Sequence, residues 1–163
     1  MTGISLRSAN PILQRLREKL AQECEKISPF SGDLEADESC FGPRRGRGAG
    51  RKILVFGLLK RDGKVCAQIM TNVSRAALQA VIRGHAKLES TIRADGWSGY
   101  DGLVNLGYAR HFRVHHGDDE FAVGPNHVNG IESFWGFAKH RMTKFHGVSK
   151  STFPLPLKAQ NFA

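Results

Sequence analysis

A chain of 163 residues, 40% apolar and 24% charged, is long enough to bury one sizeable core, so one globular domain with a short extension is expected. Its 24 Lys and Arg against 15 Asp and Glu give a formal charge of +9, which points to a polyanionic partner, nucleic acid ahead of an anionic membrane. Three widely spaced cysteines without a CxxC pair argue against a disulfide framework or a zinc ribbon, and no signal-like or membrane-length apolar run occurs, so a cytosolic protein without membrane association is expected.

From about Asn10 to Ile27 the spacing predicts a helix, with Pro11 suited to its first turn and Ile12, Leu13, Leu16 and Leu20 forming a stripe. Residues 1–32 form a lead-in. Asp33 to Phe41 alternates like a strand, with Leu34, Ala36, Glu38 and Cys40 in one phase and Glu35, Asp37, Ser39 and Phe41 in the other. A glycine-rich loop follows, carrying Arg44, Arg45, Arg47, Arg51 and Lys52. Ile53 to Leu59 is a continuous apolar run, as in a strand buried on both faces, and the Asp62-Gly63 turn signal joins it to a third strand from Val65 to Thr71.

Ser74 is a suitable N-cap for a helix ending near Gly84. Ser90 to Asp95 reads as a fourth strand, Trp97 to Leu106 as a short helix closed by Gly107, and Ala109 to His115 as a fifth strand. After a loop over 117–125, a helix runs from about Val128 to Lys144. Ile131, Phe134, Trp135 and Ala138 make its apolar stripe, and Asn129, Glu132 and Lys139 share another face. The order β-β-β-α-β-α-β-α describes an α/β fold: a mixed sheet with helices on both faces.

Three acids stand out against that order. Asp37 lies within the first strand, Asp95 closes the fourth, and Glu132 sits on the last helix, so only folding can bring them together. Acids in or beside buried strands are costly unless they are paired or bind cations, and hard oxygen ligands from separate elements suit Mg²⁺ or Mn²⁺. Each also has an ordinary reading: a solvent-facing acid on an edge strand, an Asp-Gly turn, an exposed helix glutamate. Trp97 and Tyr100 are placed either to stack on a base or to pack beneath the site. His111, His115, His116 and His127 have neither the spacing nor the cysteine partners of a zinc site.

The segments Ala36-Asp37-Glu38-Ser39-Cys40-Phe41-Gly42, Ala94-Asp95-Gly96-Trp97-Ser98-Gly99-Tyr100 and His127-Val128-Asn129-Gly130-Ile131-Glu132-Ser133-Phe134-Trp135, with the basic loop, resemble DDE-type transposases of bacterial insertion sequences, in the branch whose catalytic domain often follows a zinc ribbon. The resemblance spans roughly residues 33–150 and implies a ribonuclease H-like catalytic domain there, with 151–163 as a short tail. It implies Asp37, Asp95 and Glu132 as the metal-holding acids, with Asn129 as the alternative third residue or a substrate contact. It also implies two Mg²⁺ or Mn²⁺ ions, and Lys139 with the basic loop on DNA. The activity implied is cleavage and strand transfer at transposon ends into target DNA, by a homo-oligomer assembled on DNA in the bacterial cytoplasm, at the nucleoid. Two departures motivate a rival expectation, a truncated, inactive DNA-binding remnant: the chain starts only about 30 residues before Asp37, and the two prolines of its tail precede an early stop. A hybrid- or branch-cutting nuclease is a third possibility.

Overall fold

The structure is a computed structural model and describes residues 5–27, 29–42, 52–61, 63–95, 98–114, 128–144 and 153–158. Among these, five strands form one sheet in the order β3-β2-β1-β4-β5: β1 (Asp33–Phe41), β2 (Ile53–Lys60), β3 (Lys64–Met70), β4 (Thr91–Asp95) and β5 (Arg110–Val114). The first three make an antiparallel meander, and β4 and β5 add in parallel beyond β1. Gly63, at φ +97°, donates its N–H to the Lys60 carbonyl and closes the hairpin between β2 and β3. β1 is therefore the central strand, which removes the edge-strand reading of Asp37.

The two phases of β1 enter two different layers. Leu34 and Ala36 join Phe56, Leu58, Ile92 and Ala94 beneath α2 (Arg75–His85), which contributes Leu78 and Ile82. Ser74 caps that helix, its hydroxyl accepting the Ala77 N–H at 3.3 Å. On the opposite face, Phe41, Val55 and Leu59 meet Ile131, Trp135 and Ala138 of α3 (Asn129–Met142). Helices on both faces, and the expected strand order along the chain, are as anticipated.

Two local expectations are corrected. The lead-in helix α1 (Leu6–Ile27) begins before Asn10, because the Ser5 hydroxyl accepts the Ser8 N–H at 3.2 Å and starts it; Pro11 therefore lies inside the helix, beyond its first turn. The segment expected as one short helix over Trp97–Leu106 is instead two 3-10 turns, Ser98–Tyr100 and Val104–Leu106, separated where Gly102 takes φ +84° and interrupts helical geometry. Gly107 closes the second at φ +96°, as its position suggested. The proline-bearing tail contains a short helix α4 (Pro154–Lys158), whose Leu157, with Phe153 just before it, is buried in the α3-side layer. Against α4 packs α1, while Ile12, Leu13 and Leu16 stay exposed. Among the described residues no helix is long and apolar enough to cross a membrane.

Candidate active site

Parallel pairing of β1 and β4 runs from Asp33↔Thr91 to Ala36↔Ala94. One residue past that last pair stand Asp37 and Asp95, where β4 ends and β1 continues against β2 alone. Adjacent strands are roughly 4.8 Å apart, so the register itself brings these two acids together where β4 reaches its carboxyl end beside the middle of β1, and α/β sheets gather function at such strand ends. Glu132 reaches the same region from the first turn of α3.

Electrostatics records the meeting. Burial pushes the Asp37 carboxyl above the usual carboxylate range, and the charges of Asp95 and Glu132 push it the same way. The backbone N–H of Glu38 and the Trp135 indole lie near enough to oppose that rise. No hydrogen bond of normal geometry closes from the indole, however: Trp135 Nε1 is buried and unpartnered among the described residues. Such a surplus of negative charge is what a divalent cation would relieve, and the donors are the hard oxygens that Mg²⁺ or Mn²⁺ prefers. Among the described residues, though, no group of three or more His, Cys, Asp and Glu side chains is gathered closely enough to hold an ion unaided. The fit is to an open site, since Mg²⁺ commonly takes one or two carboxylates and completes its shell with water and substrate phosphate.

Why α3 presents Glu132 here follows from its apolar stripe and two glycines. Ile131, Trp135 and Ala138 are buried, Phe134 is half-buried, and Asn129, Glu132 and Lys139 are exposed, as the helical spacing predicts. Gly57 pairs with Asp37 across β1 and β2; a Cβ there would meet Trp135 Cζ2 at 2.4 Å and Ile131 Cδ1 at 2.9 Å. Only glycine lets the indole lie against the sheet beside Asp37. At Gly130 a Cβ would meet Leu59 Cδ2 at 2.5 Å and Glu35 Oε2 at 2.8 Å, so the first turn of α3 also sits tight on the sheet.

Further groups belong to the site that the sequence reading did not single out. Glu35, 2% exposed, accepts the Ile131 N–H at Oε2 and the Arg61 Nε–H at Oε1, each at 3.0 Å. Glu38, on the other face of β1, accepts the Tyr100 hydroxyl at 2.5 Å. Burial, with the charges of Asp37 and Asp95, pushes the Glu38 carboxyl up to about 7 despite that bond; burial beside Glu38 pushes the Tyr100 phenol well above its ordinary range. Tyr100 is fully buried and so packs beneath the site; stacking on a base is excluded for it. A signal for Glu35 existed: it occupies the same strand phase as Asp37 and Phe41, where a lone acid calls for a partner. For Glu38 and Arg61 no sequence pattern announced the bonds.

The remaining candidates divide. Lys139 lies over the ring of Phe41, the last residue of β1, its Nζ 5.9 Å from the centroid. His140, Arg141 and Lys144 extend an exposed basic end of α3, and the Arg141 guanidinium covers exposed Phe137 at 5.2 Å. Lys52 is exposed just before β2. His111 is tilted against Tyr100 with 6.4 Å between centroids. Arg44, Arg45, Arg47, Arg51, Trp97, His115, His116 and His127 lie outside the described residues.

Comparison with known proteins bears on the whole arrangement. The family model of the ISXO2-like transposase domain matches residues 29–162. A protein of Haemophilus influenzae, described as an uncharacterized transposase-like protein, is 37% identical over 95 residues, which is 58% of this chain and 76% of that protein. The crystal structure of the catalytic core domain of BIV integrase superposes with TM-score 0.52 at 14% identity, covering 80% of this chain and 82% of that one. A chain of the simian T-cell lymphotropic virus intasome, solved in complex with the PP2A regulatory subunit B56 gamma, gives TM-score 0.51 at 13% identity, covering 80% of this chain but 48% of the other. At such low identities the structural likeness speaks for the fold alone, and that fold is the ribonuclease H-like one of integrase catalytic cores. With a family model spanning most of its length, the chain belongs to the ISXO2-like transposase domain family.

Proposed function

We propose that this chain cuts and joins DNA at the ends of a mobile element, by divalent-metal-dependent phosphodiester chemistry. The observation that carries the reading is the meeting of Asp95 and Glu132 with half-buried Asp37, whose carboxyl is raised first by burial and further by those two charges, in a chain of a transposase family. In this reading Asp37, Asp95 and Glu132 would hold two Mg²⁺ or Mn²⁺ ions, which would supply Lewis-acid polarisation of the scissile phosphate and activation of the attacking oxygen.

The chain's own residues do the rest. The three carboxylates fix where the phosphate docks, with water and phosphate oxygens completing the open site. Water attacks phosphorus in line; its oxygen joins the 5′-phosphate, and the 3′-oxygen leaves as a hydroxyl after taking up a proton. In the joining step that 3′-hydroxyl attacks a target phosphodiester and displaces a second 3′-oxygen, so no covalent bond to the protein is needed. Lys139, Arg141 and Lys144, with Lys52 and Arg44, Arg45, Arg47 and Arg51 of the basic loop, are the groups suited to the DNA backbone, an interaction that weakens with salt. Asn129 stands three residues before Glu132 on the same exposed face and suits a substrate contact better than a metal, since a neutral amide is the weaker ligand. Cutting two ends together implies a homo-oligomer assembled on DNA.

The rival reading, a DNA-binding remnant without chemistry, draws support from the lack of a ready-made metal-holding group among the described residues. One experiment separates them. The full chain is incubated with end-containing DNA and Mg²⁺ or Mn²⁺, with Asp37→Asn as control. Metal-dependent nicks and joined products from the parent, absent from D37N, are expected. Tight binding by both proteins with no product from either would favour the remnant, and cutting of RNA–DNA hybrids without joining would favour a nuclease.

A further inference from the structure

The carboxylate of Glu35 is buried, takes no place among the three acids, and yet touches the helix that carries one of them. We propose that Glu35 is a positioning residue, setting the axial position and rotation of α3 so that Glu132 faces Asp37; the proposal rests on the reading of Asp37 and Glu132 as parts of one site.

Three observations carry it. First, the α3 N-cap residue, Val128, makes no side-chain capping bond. The early N–H groups of a helix need acceptors, and here a strand supplies one: Glu35 Oε2 accepts the N–H of Ile131, the residue immediately before Glu132. Second, the carboxylate is itself held. Arg61, at the turn between β2 and β3, donates to its other oxygen at 3.0 Å, so the acceptor cannot swing with the helix. Third, the space is closed. A Cβ at Gly130 would meet Leu59 Cδ2 at 2.5 Å and Glu35 Oε2 at 2.8 Å, so the glycine lets the first turn sit tight on the sheet beside Glu35.

The apolar stripe of Ile131, Trp135 and Ala138 holds α3 on the sheet but is non-directional. A slip of one residue along a helix means roughly 1.5 Å of translation and a turn of about 100°, which would carry Glu132 away from Asp37. A hydrogen bond to a fixed carboxylate is directional and resists that slip. Because Glu35 and Asp37 are two residues apart on β1, they share a face, and the connection from Asp37 to Glu132 runs through one stiff strand and one hydrogen bond.

The test uses the full chain and compares Glu35→Ala, Glu35→Gln and Ile82→Ala, the last a core change under α2 on the opposite face. Two readouts need no catalysis: amide hydrogen exchange across α3, and binding of Mn²⁺ alone, followed by loss of the free-ion signal in electron paramagnetic resonance. A third is the Mn²⁺ concentration that half-saturates DNA cleavage. E35A should speed exchange in the first turn of α3 relative to β4 and raise the half-saturating Mn²⁺ at least about 10-fold, the scale on which outer ligand supports act. E35Q, whose amide oxygen can still accept the Ile131 N–H, should recover part of both effects. I82A should lower stability yet leave the Mn²⁺ response unchanged. Equal Mn²⁺ responses in E35A and I82A, or unchanged exchange at the start of α3 in E35A, would overturn the proposal. A parent protein that binds Mn²⁺ through Asp37 but cuts nothing would overturn the cleavage reading alone, with exchange and binding still deciding the role of Glu35.

Discussion

On the α2 side of β1, Leu34 and Ala36 disappear into an apolar layer with Phe56, Leu58, Ile92 and Ala94. On the α3 side of the same strand, Glu35, Asp37 and Ser39 occupy the alternate positions, and Arg93 is buried on the neighbouring strand in register with Glu35. One face is closed by the hydrophobic effect, with Glu38 and Tyr100 at its rim. The other mixes apolar packing with charges that water would solvate better. Buried ionic groups add little net stability but fix geometry when their partners are directional. The two faces of one sheet differ in kind, a largely apolar layer under α2 and a layer under α3 that combines an apolar cluster with the acids of the proposed site, so substitutions on the two sides should fail differently.

The sharpest test is loss of the acids themselves. Asp37→Asn, Asp95→Asn and Glu132→Gln should each cut metal-dependent cleavage by more than about 100-fold, beyond what the loss of a ligand's support costs. Their melting temperatures should hold or rise, because D37N and its companions relieve mutual repulsion. Asn129→Ala should cost far less; a loss equal to that of E132Q would make Asn129 the third essential group.

The converse change comes from the apolar face. Ile82→Ala removes a fully buried side chain under α2 and should cost about 2–5 kcal/mol in a denaturant titration, while specific activity per folded molecule stays near the parent's. Activity lost in proportion to D37N would break the division between the faces.

At the rim the comparison acquires a pH dependence. In the folded chain Glu38 keeps its proton up to about 7, whereas in the unfolded chain it releases it near its ordinary 4.5. The folded state therefore binds the extra proton within that window, and metal-free protein should lose stability as pH rises from about 4.5 to about 7, with the loss complete above it. The raised Asp37 carboxyl acts in the same direction. Glu38→Gln, which keeps an acceptor for Tyr100, should flatten the curve of melting temperature against pH measured in chelator; an unchanged slope would show that Glu38 is not the group responsible.

Smallest of all should be the change at the exposed basic end of α3. Lys139→Ala should weaken DNA binding similarly across sequences and reduce the slope of log affinity against log salt by about 1, without altering the melting temperature. A shift confined to one DNA sequence would assign Lys139 to base contact instead.

Much of this molecule was legible in one dimension. The alternation over Asp33–Phe41, the apolar run beginning at Ile53, the Asp62-Gly63 turn, the Ser74 cap and the spacing of Ile131, Trp135 and Ala138 are local signals, each requiring only the period of its own element. They were sufficient for the strand order along the chain and for the faces that would be buried, and the resemblance to insertion-sequence transposases agrees with the family the chain belongs to. Local signals failed where backbone geometry hung on single residues: the Ser5 hydroxyl that starts α1 early, and Gly102, which divides an expected helix into two 3-10 turns. Tertiary structure alone decided what depends on register and on contacts between distant segments. That β1 is central, that pairing ends at Ala36↔Ala94 so that Asp37 and Asp95 stand side by side, and that a carboxylate on β1 accepts an N–H from α3 some 96 residues later are consequences of packing. The physical reason is the same for each: a side chain's period tells which face it occupies, but its partner is chosen only when two elements meet.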